Sequence, residues 1–99
     1  MRCEVIIAET ARAAFCQFDG RWRSSLKAAM RDLLGSAPKR ESRSRIKRLR
    51  GLRQPQYRLR VGEMRVFYDV NDGLQRVEVL GFVPKPETGE WLEQHGVPE

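Results

Sequence analysis

Residues 57–70 (YRLRVGEMRVFYDV) alternate as the two strands of a hairpin do. Gly62-Glu63 is a two-residue turn signal with Gly first. Folding there pairs Val61 with Met64, Arg60 with Arg65, Leu59 with Val66, Arg58 with Phe67, and Tyr57 with Tyr68. Side chains alternate faces along a strand. One face therefore collects Tyr57, Leu59, Val61, Met64, Val66, Tyr68 and Val70, and the other Arg58, Arg60, Arg65 and Phe67. Arg60 directly opposite Arg65 is a destabilising like-charge pair. Two readings fit that face: a surface built for a polyanion, or a solvated face with arginine stems lying along it.

The same periodicities organise the rest. Residues 2–8 (RCEVIIA) read as a strand with Cys3, Val5 and Ile7 on one side. Residues 10–18 read as a short helix with Thr10 as N-cap and an apolar stripe of Ala11, Ala14, Phe15 and Phe18. Asp19-Gly20 interrupts it and can start a second helix over 21–34. There Trp22, Leu26, Ala29, Met30, Leu33 and Leu34 fall at helical spacing. Gly35 and Pro38 end it. The pair is an αα-hairpin, with Trp22 in or over the core.

Residues 38–55 (PKRESRSRIKRLRGLRQP) have three large apolar residues, Ile46, Leu49 and Leu52, whose spacing predicts a partly helical, mobile connection. After the hairpin, Asn71-Asp72-Gly73 signals another turn. A two-residue loop at Asp72-Gly73 would set Asp69 against Arg76, Tyr68 against Val77, Phe67 against Glu78, Val66 against Val79 and Arg65 against Leu80. That register places Glu78 beside Phe67, diagonal to Arg65. Residues 86–94 predict a final short helix with Thr88 as N-cap and Gly96 as its end. The expected fold is α+β: an N-terminal strand, a helical hairpin packed on one face of an antiparallel sheet, and a short C-terminal helix, all in one domain over 1–99. The arginine face is expected to stay open and concave.

Charge sharpens this picture. The net charge is +6, divided as +2 over 1–38, +9 over 39–65 and −5 over 66–99. Such focusing is the electrostatic footprint of a nucleic-acid partner, and an acidic protein would fit the same patch. Cys3, Cys16 and the single His95 offer neither a disulfide framework nor a metal site, so no metal or other cofactor is expected. With no bilayer-length apolar run and no signal-peptide pattern, a cytoplasmic protein is expected.

The N-terminal strand, the helical hairpin, residues 47–51 (KRLRG), residues 57–70 and residues 77–85 (VEVLGFVPK) together resemble the RelE/ParE superfamily of bacterial toxins. The resemblance implies a toxin neutralised by a small cognate antitoxin. RelE-like members cleave mRNA on the ribosome, whereas ParE-like members poison DNA gyrase without nuclease activity. By position, Arg58 and Arg60 match basic residues of the hairpin strands. Arg65 matches the family arginine, Lys85 the later basic residue, and Trp91 falls near a tyrosine. With Glu78 added on chemical grounds, the candidate catalytic set is Arg65, Lys85, Arg60, Arg58 and Glu78, with Lys47, Arg48, Arg50, Arg53 and Trp91 as candidates for contacting RNA or ribosome. Two departures stand out. A glycine-histidine-arginine motif is replaced by GFVPKPETGEW (81–91), and tryptophan is no phenolic acid or base. Arginine remains protonated near neutrality, so it can stabilise charge but is a poor base. Lys85, Glu78 and Glu63 are the titratable candidates, and Glu78 reads more readily as a salt-bridge partner of Arg65 than as a base. A ParE-like gyrase poison, or a catalytically weak antitoxin-binding protein, remains the alternative.

Overall fold

The structure, a computed structural model, describes residues 2–99. Its elements are β1 (Glu4–Ile7), α1 (Glu9–Gln17), α2 (Gly20–Ala29), β2 (Ile46–Arg48), β3 (Leu52–Gln54), β4 (Tyr57–Val61), β5 (Met64–Asn71), β6 (Arg76–Pro84), α3 (Thr88–His95) and β7 (Val97–Pro98). Helix α2 runs on into a π-helical turn, Met30–Leu34, closed by a Gly35 N–H to Met30 O bond of 3.0 Å. The protein is α+β, with α1 and α2 covering one face of a five-stranded sheet of order β1-β6-β5-β4-β2. Its pairings are antiparallel except β1–β6, which is parallel, so the sheet is mixed rather than wholly antiparallel.

The helices start for identifiable reasons. The Asp19 carboxylate accepts from Trp22 N–H at 3.0 Å and caps α2, satisfying a donor that has no partner inside the helix. Helix α1 begins at Glu9, so Thr10 lies inside it, and Ala8 precedes it without a side-chain cap. Helix α3 starts at Thr88, whose hydroxyl donates to Lys85 O rather than capping, and ends at Gly96.

The β4–β5 register is the one that alternation dictates, from Tyr57 opposite Tyr68 to Val61 opposite Met64. Gly62 sits at φ +58°, the left-handed region its turn requires. Leu59, Val66, Tyr68, Val77 and Val79 are fully buried, together with Leu26 and Leu34 from the helices. Met30 joins this core and Leu33 and Trp22 pack against its margin. Each such side chain contributes roughly 1.5–3 kcal/mol on burial, which is why the apolar parity governs the hairpin.

Two regions depart from expectation. The β5–β6 loop spans four residues, because Asn71 Oδ1 accepts from Leu74 N (3.1 Å) and Asp72 O accepts from Gln75 N (3.2 Å). Asn71 therefore pairs with Arg76, Val70 with Val77, Asp69 with Glu78 and Tyr68 with Val79. A bulge then leaves Leu80 unpaired, so that Phe67 faces Gly81, Val66 faces Phe82 and Arg65 faces Val83. The bulge reverses parity and turns Phe82 into the core against Phe15, with ring centroids 5.1 Å apart.

The basic connection is extended rather than helical. Ser42 Oγ accepts from Arg45 N and Ile46 N (3.1 and 3.3 Å), and Glu41 Oε1 accepts from Arg48 N (2.8 Å). This side-chain turn launches β2 along β4 and buries Ile46 opposite Leu59. Farther on, β3 pairs with β7, so the C-terminus is tied back to the same connection.

Tyr68 anchors the start of that connection by donating its hydroxyl to Pro38 O at 2.6 Å inside the core. Tyr68→Phe leaves a buried carbonyl unpaired and should cost about 1–3 kcal/mol in denaturant unfolding. Burial pushes the phenol well above its usual range. The unfolded chain ionises near pH ~10 and the fold does not. The contribution of Tyr68 is thus complete below pH ~10 and declines as pH rises beyond it. Tyr68→Phe should flatten that alkaline decline, and an unchanged alkaline limb would argue against the buried phenol.

Candidate anion-binding face

Strand alternation builds the site on the sheet face away from α1 and α2. Cross-strand pairing sets Lys47, Arg58, Phe67 and Gly81 in one row, and Arg60, Arg65 and Val83 in the next. Arg60 N–H donates to Arg45 O at 2.8 Å, which brings a further basic residue to the end of that second row.

Arg65 is the centre of the group and is only 6% exposed. Its Nη1 donates to Gly62 O (2.9 Å) and Met64 O (3.1 Å). Backbone carbonyls therefore hold this guanidinium, not the Glu78 carboxylate. Burial, then the positive charges of Arg58 and Arg60, lower the Arg65 pKa, with Glu63 opposing them. Arg58 is half-buried, and its Nε is shut off from solvent with no hydrogen-bond partner. Among the described residues the ion pairs are Arg31–Asp32, Lys39–Asp72 and Arg76–Glu4, so Lys47, Arg58, Arg60, Arg65 and Lys85 have none. Clustered cations without counter-charges are costly, and an anion with several acceptor oxygens relieves that cost.

Lys85 lies beside this cluster. Its backbone N–H donates to Glu63 O at 2.8 Å, which fixes an exposed lysine next to the turn that Arg65 braces. Glu78 lies elsewhere: the shifted register sets it opposite Asp69, at a cavity of about 500 Å³ also lined by Gln56, Asp72 and Arg76. Asp69 itself is engaged by Gln54 Nε2 (2.7 Å) and Gln56 N (2.8 Å).

The arginine face is only partly open. Trp91 of α3 stacks on Phe67, with centroids 4.8 Å apart and planes 7° from parallel, and His95 packs on the indole in turn. This is possible because residue 81 is glycine: a Cβ there would collide with Trp91 Cζ2 and lie 2.8 Å from Cε2 of the same ring. Phe67 is consequently 1% exposed. The indole thus roofs the middle of the face, with the basic rows on one side and Asp69 and Glu78 on the other.

The remaining basic residues divide. Lys47 shares the row of Arg58. Arg48 donates to Leu49 O and Gln56 O and lies over the Tyr57 ring, which fixes the β2–β3 bend. Arg50 and Arg53 are exposed on the β2–β3 turn and on β3, outside the arginine rows. Neither Arg45 nor the Phe67–Trp91 stack was legible beforehand. Both depend on pairings between segments distant in sequence. Among the described residues no group of three or more His, Cys, Asp or Glu could hold a metal ion, and no helix is long and apolar enough to cross a membrane.

No model of a known protein family matches the sequence, and no curated protein matches it. Solved structures do. The isolated RelE toxin of E. coli is similar over 93% of this chain and 94% of its own, with TM-score 0.71 and 20% identity. RelE in the archaeal RelE–RelB complex of Pyrococcus horikoshii OT3 is similar over 86% and 97%, with TM-score 0.70 and 24% identity. The RelBE2 toxin–antitoxin complex of Mycobacterium tuberculosis gives 85% and 99%, with TM-score 0.66 and 21% identity. These likenesses establish that the chain shares the RelE fold.

Proposed function

We propose that the chain is the toxin of a toxin–antitoxin pair, a cytoplasmic, ribosome-dependent mRNA endonuclease that uses no metal and is neutralised by a cognate antitoxin. The observation that carries this reading is Arg65, buried and braced by two carbonyls, flanked by Arg58 and Arg60 without an acidic partner. The shared fold with RelE toxins, two of them in complex with an antitoxin, supports it.

In the proposed reaction the RNA 2′-OH gives its proton to a base and attacks the adjacent phosphate in line, and the P–O5′ bond breaks to leave a 2′,3′-cyclic phosphate and a 5′-oxygen that takes a proton from an acid. The developing phosphorane charge falls on donors that are already oriented, which is the largest lever a site of this kind has. Arg65 supplies a bidentate fork. Arg58 and Arg60 hold the flanking phosphates, and Lys47, Arg50 and Arg53 meet ribosomal or messenger backbone. Lys85, with Glu63 across the shared backbone bond, is the titratable pair nearest Arg65 and the candidate for proton transfer.

Purified protein on programmed ribosomes tests this. Lys85→Ala should lower turnover by ~10²-fold or more with little change in ribosome binding. Arg60→Ala should weaken binding in a salt-dependent manner. A parent protein that cleaves no ribosome-bound mRNA would sink the reading. One observation favours a second reading in that case: Glu78 is remote from Arg65, so the face has few groups able to move protons. A ParE-like gyrase poison or a binding-only relative would then stop DNA synthesis, or nothing, on induction in cells, whereas the nuclease stops translation first.

A further inference from the structure

One two-residue turn, Gly62-Glu63, collects three groups from separate parts of the chain. Gly62 O accepts from Arg65 Nη1 at 2.9 Å, and Glu63 O accepts from the Lys85 N–H at 2.8 Å. The third group is Trp22, from the first turn of α2. Its Cη2 lies 3.6 Å from where a Cβ on Gly62 would stand, so the ring edge rests on the turn. Ordinary bond lengths then bring that edge within about 10 Å of Arg65 Nη1.

Trp22 packs on the margin of the core but is only partly buried, and it lines a surface cavity of about 310 Å³ with Asp19, Arg21 and Ser25. The packing aromatics Phe15, Phe67, Tyr68 and Phe82 are buried instead. Trp22 is held at two points: its N–H donates to the Asp19 carboxylate at 3.0 Å, and its ring edge meets Gly62. A side chain fixed in advance offers contact area at little cost in conformational entropy. Arg21 is exposed and has no ion pair among the described residues. A flat aromatic beside a cation and a hydroxyl is the set that holds an unstacked nucleobase and its phosphate.

We propose that Trp22 is the stacking platform for one base of single-stranded RNA, that of the nucleotide next to the phosphate held by Arg65. The strand would round the tip of the β4–β5 hairpin, with a phosphate at Arg65, a base on the indole and the next phosphate at Arg21. A single nucleotide spans that separation. Stacking accepts every base, so the subsite positions the strand rather than reading its sequence. It also selects against paired RNA, whose bases are already stacked. Trp91 is the poorer platform, because its ring is stacked on Phe67 and packed by His95. The proposal deepens the nuclease reading of the preceding section and rests on it for its biological meaning.

Trp22 and Trp91 are the two tryptophans, so Trp91→Phe gives a full chain with one indole. A short single-stranded RNA, 2′-O-methylated to block cleavage, should quench its fluorescence, and the same sequence in a duplex should quench far less. Trp22→Leu should weaken that RNA by about tenfold or more, and Trp22→Tyr should keep most of the affinity. An abasic residue walked along the strand should, at one position, weaken the parent by the same factor and cost Trp22→Leu nothing further. Exposed Arg21→Glu should weaken binding in a salt-dependent manner. The abasic series on the parent and Arg21→Glu leave the core margin untouched, so they decide the matter even if Trp22→Leu fails to fold. On programmed ribosomes Trp22→Leu should raise KM with kcat near the parent value. Binding without quenching of Trp22, an abasic series with no sensitive position, or equal abasic costs in parent and Trp22→Leu would each overturn the proposal. Quenching in a protein that cleaves nothing would leave the stacking site standing and remove the nuclease reading. Cleavage with no quenching and a parent-like KM in Trp22→Leu would do the reverse.

Discussion

Arg65→Ala is expected to lower single-turnover mRNA cleavage on programmed ribosomes by ~10²–10³-fold, the usual cost of losing one preorganised donor to a developing charge. The expectation comes from how the guanidinium is held. Gly62 O and Met64 O take Nη1, which leaves the rest of the fork to face an anion. Arg58 and Arg60 destabilise the charge until that anion arrives. Arg65→Lys should restore only part of the rate, because an ammonium lacks the planar fork. Arg65→Met is the more telling variant. It keeps the stem buried and removes a charge crowded by two others, which offsets the loss of the bonds to Gly62 O and Met64 O, so stability in denaturant should change little while cleavage is lost. Loss of activity without loss of stability is the signature of a side chain kept for function. An Arg65→Met protein that folds and cleaves like the parent would remove the arginine face from the mechanism.

Gly81→Ala is expected to destabilise the fold by about 1–3 kcal/mol, a large penalty for one methyl group. The new Cβ would occupy the Trp91 ring, and β6 backbone cannot retreat from it without losing the Phe67–Gly81 register. The indole would be expelled and Phe67 uncovered. Trp91→Ala alone should cost about 2 kcal/mol, less than for a fully buried tryptophan because Trp91 is partly exposed. In the Trp91→Ala background, Gly81→Ala should cost close to nothing, since the ring it strikes is gone. The coupling in this double-mutant cycle should therefore approach the whole Gly81→Ala penalty. Independent, additive costs would mean that Trp91 does not roof the sheet. Uncovering Phe67 also widens the arginine face, so Trp91→Ala should alter RNA affinity even where the fold survives.

Legibility in the sequence followed the range of the interactions. The 57–70 hairpin was readable because turn, alternation and pairing all lie within one short stretch. Its glycine turn, its core face and the common face of Arg58, Arg60 and Arg65 came out as expected. The helical stripe from Trp22 to Leu34 was readable for the same reason, and the structure seats it on that core face. The connection over 38–55 was not. Ile46, Leu49 and Leu52 have a spacing compatible with a helical turn, and only the Ser42 and Glu41 side-chain bonds and the free β4 edge make it extended. Residues 79–83 (VLGFV) are continuously apolar, so alternation carried no information about the bulge at Leu80.

By itself, then, the sequence determined an α+β chain with a two-faced hairpin, three arginines on one face and positive charge focused in its middle third. These are local properties, set by periodicity and composition. Tertiary structure alone decided which carboxylate stands near the arginines, since the four-residue loop moved Glu78 from Phe67 to Asp69. It decided that carbonyls brace Arg65, that Lys47 and Arg45 extend the basic rows, and that Trp91 closes the middle of the face over a glycine. It also set β1 at the edge of the sheet beside a basic-rimmed cavity, with the Cys3 N–H just before it donating to Gly35 O. Each of these depends on residues far apart in the chain meeting at van der Waals or hydrogen-bond distance. Such meetings follow from how the layers pack, and no periodicity along the chain encodes them.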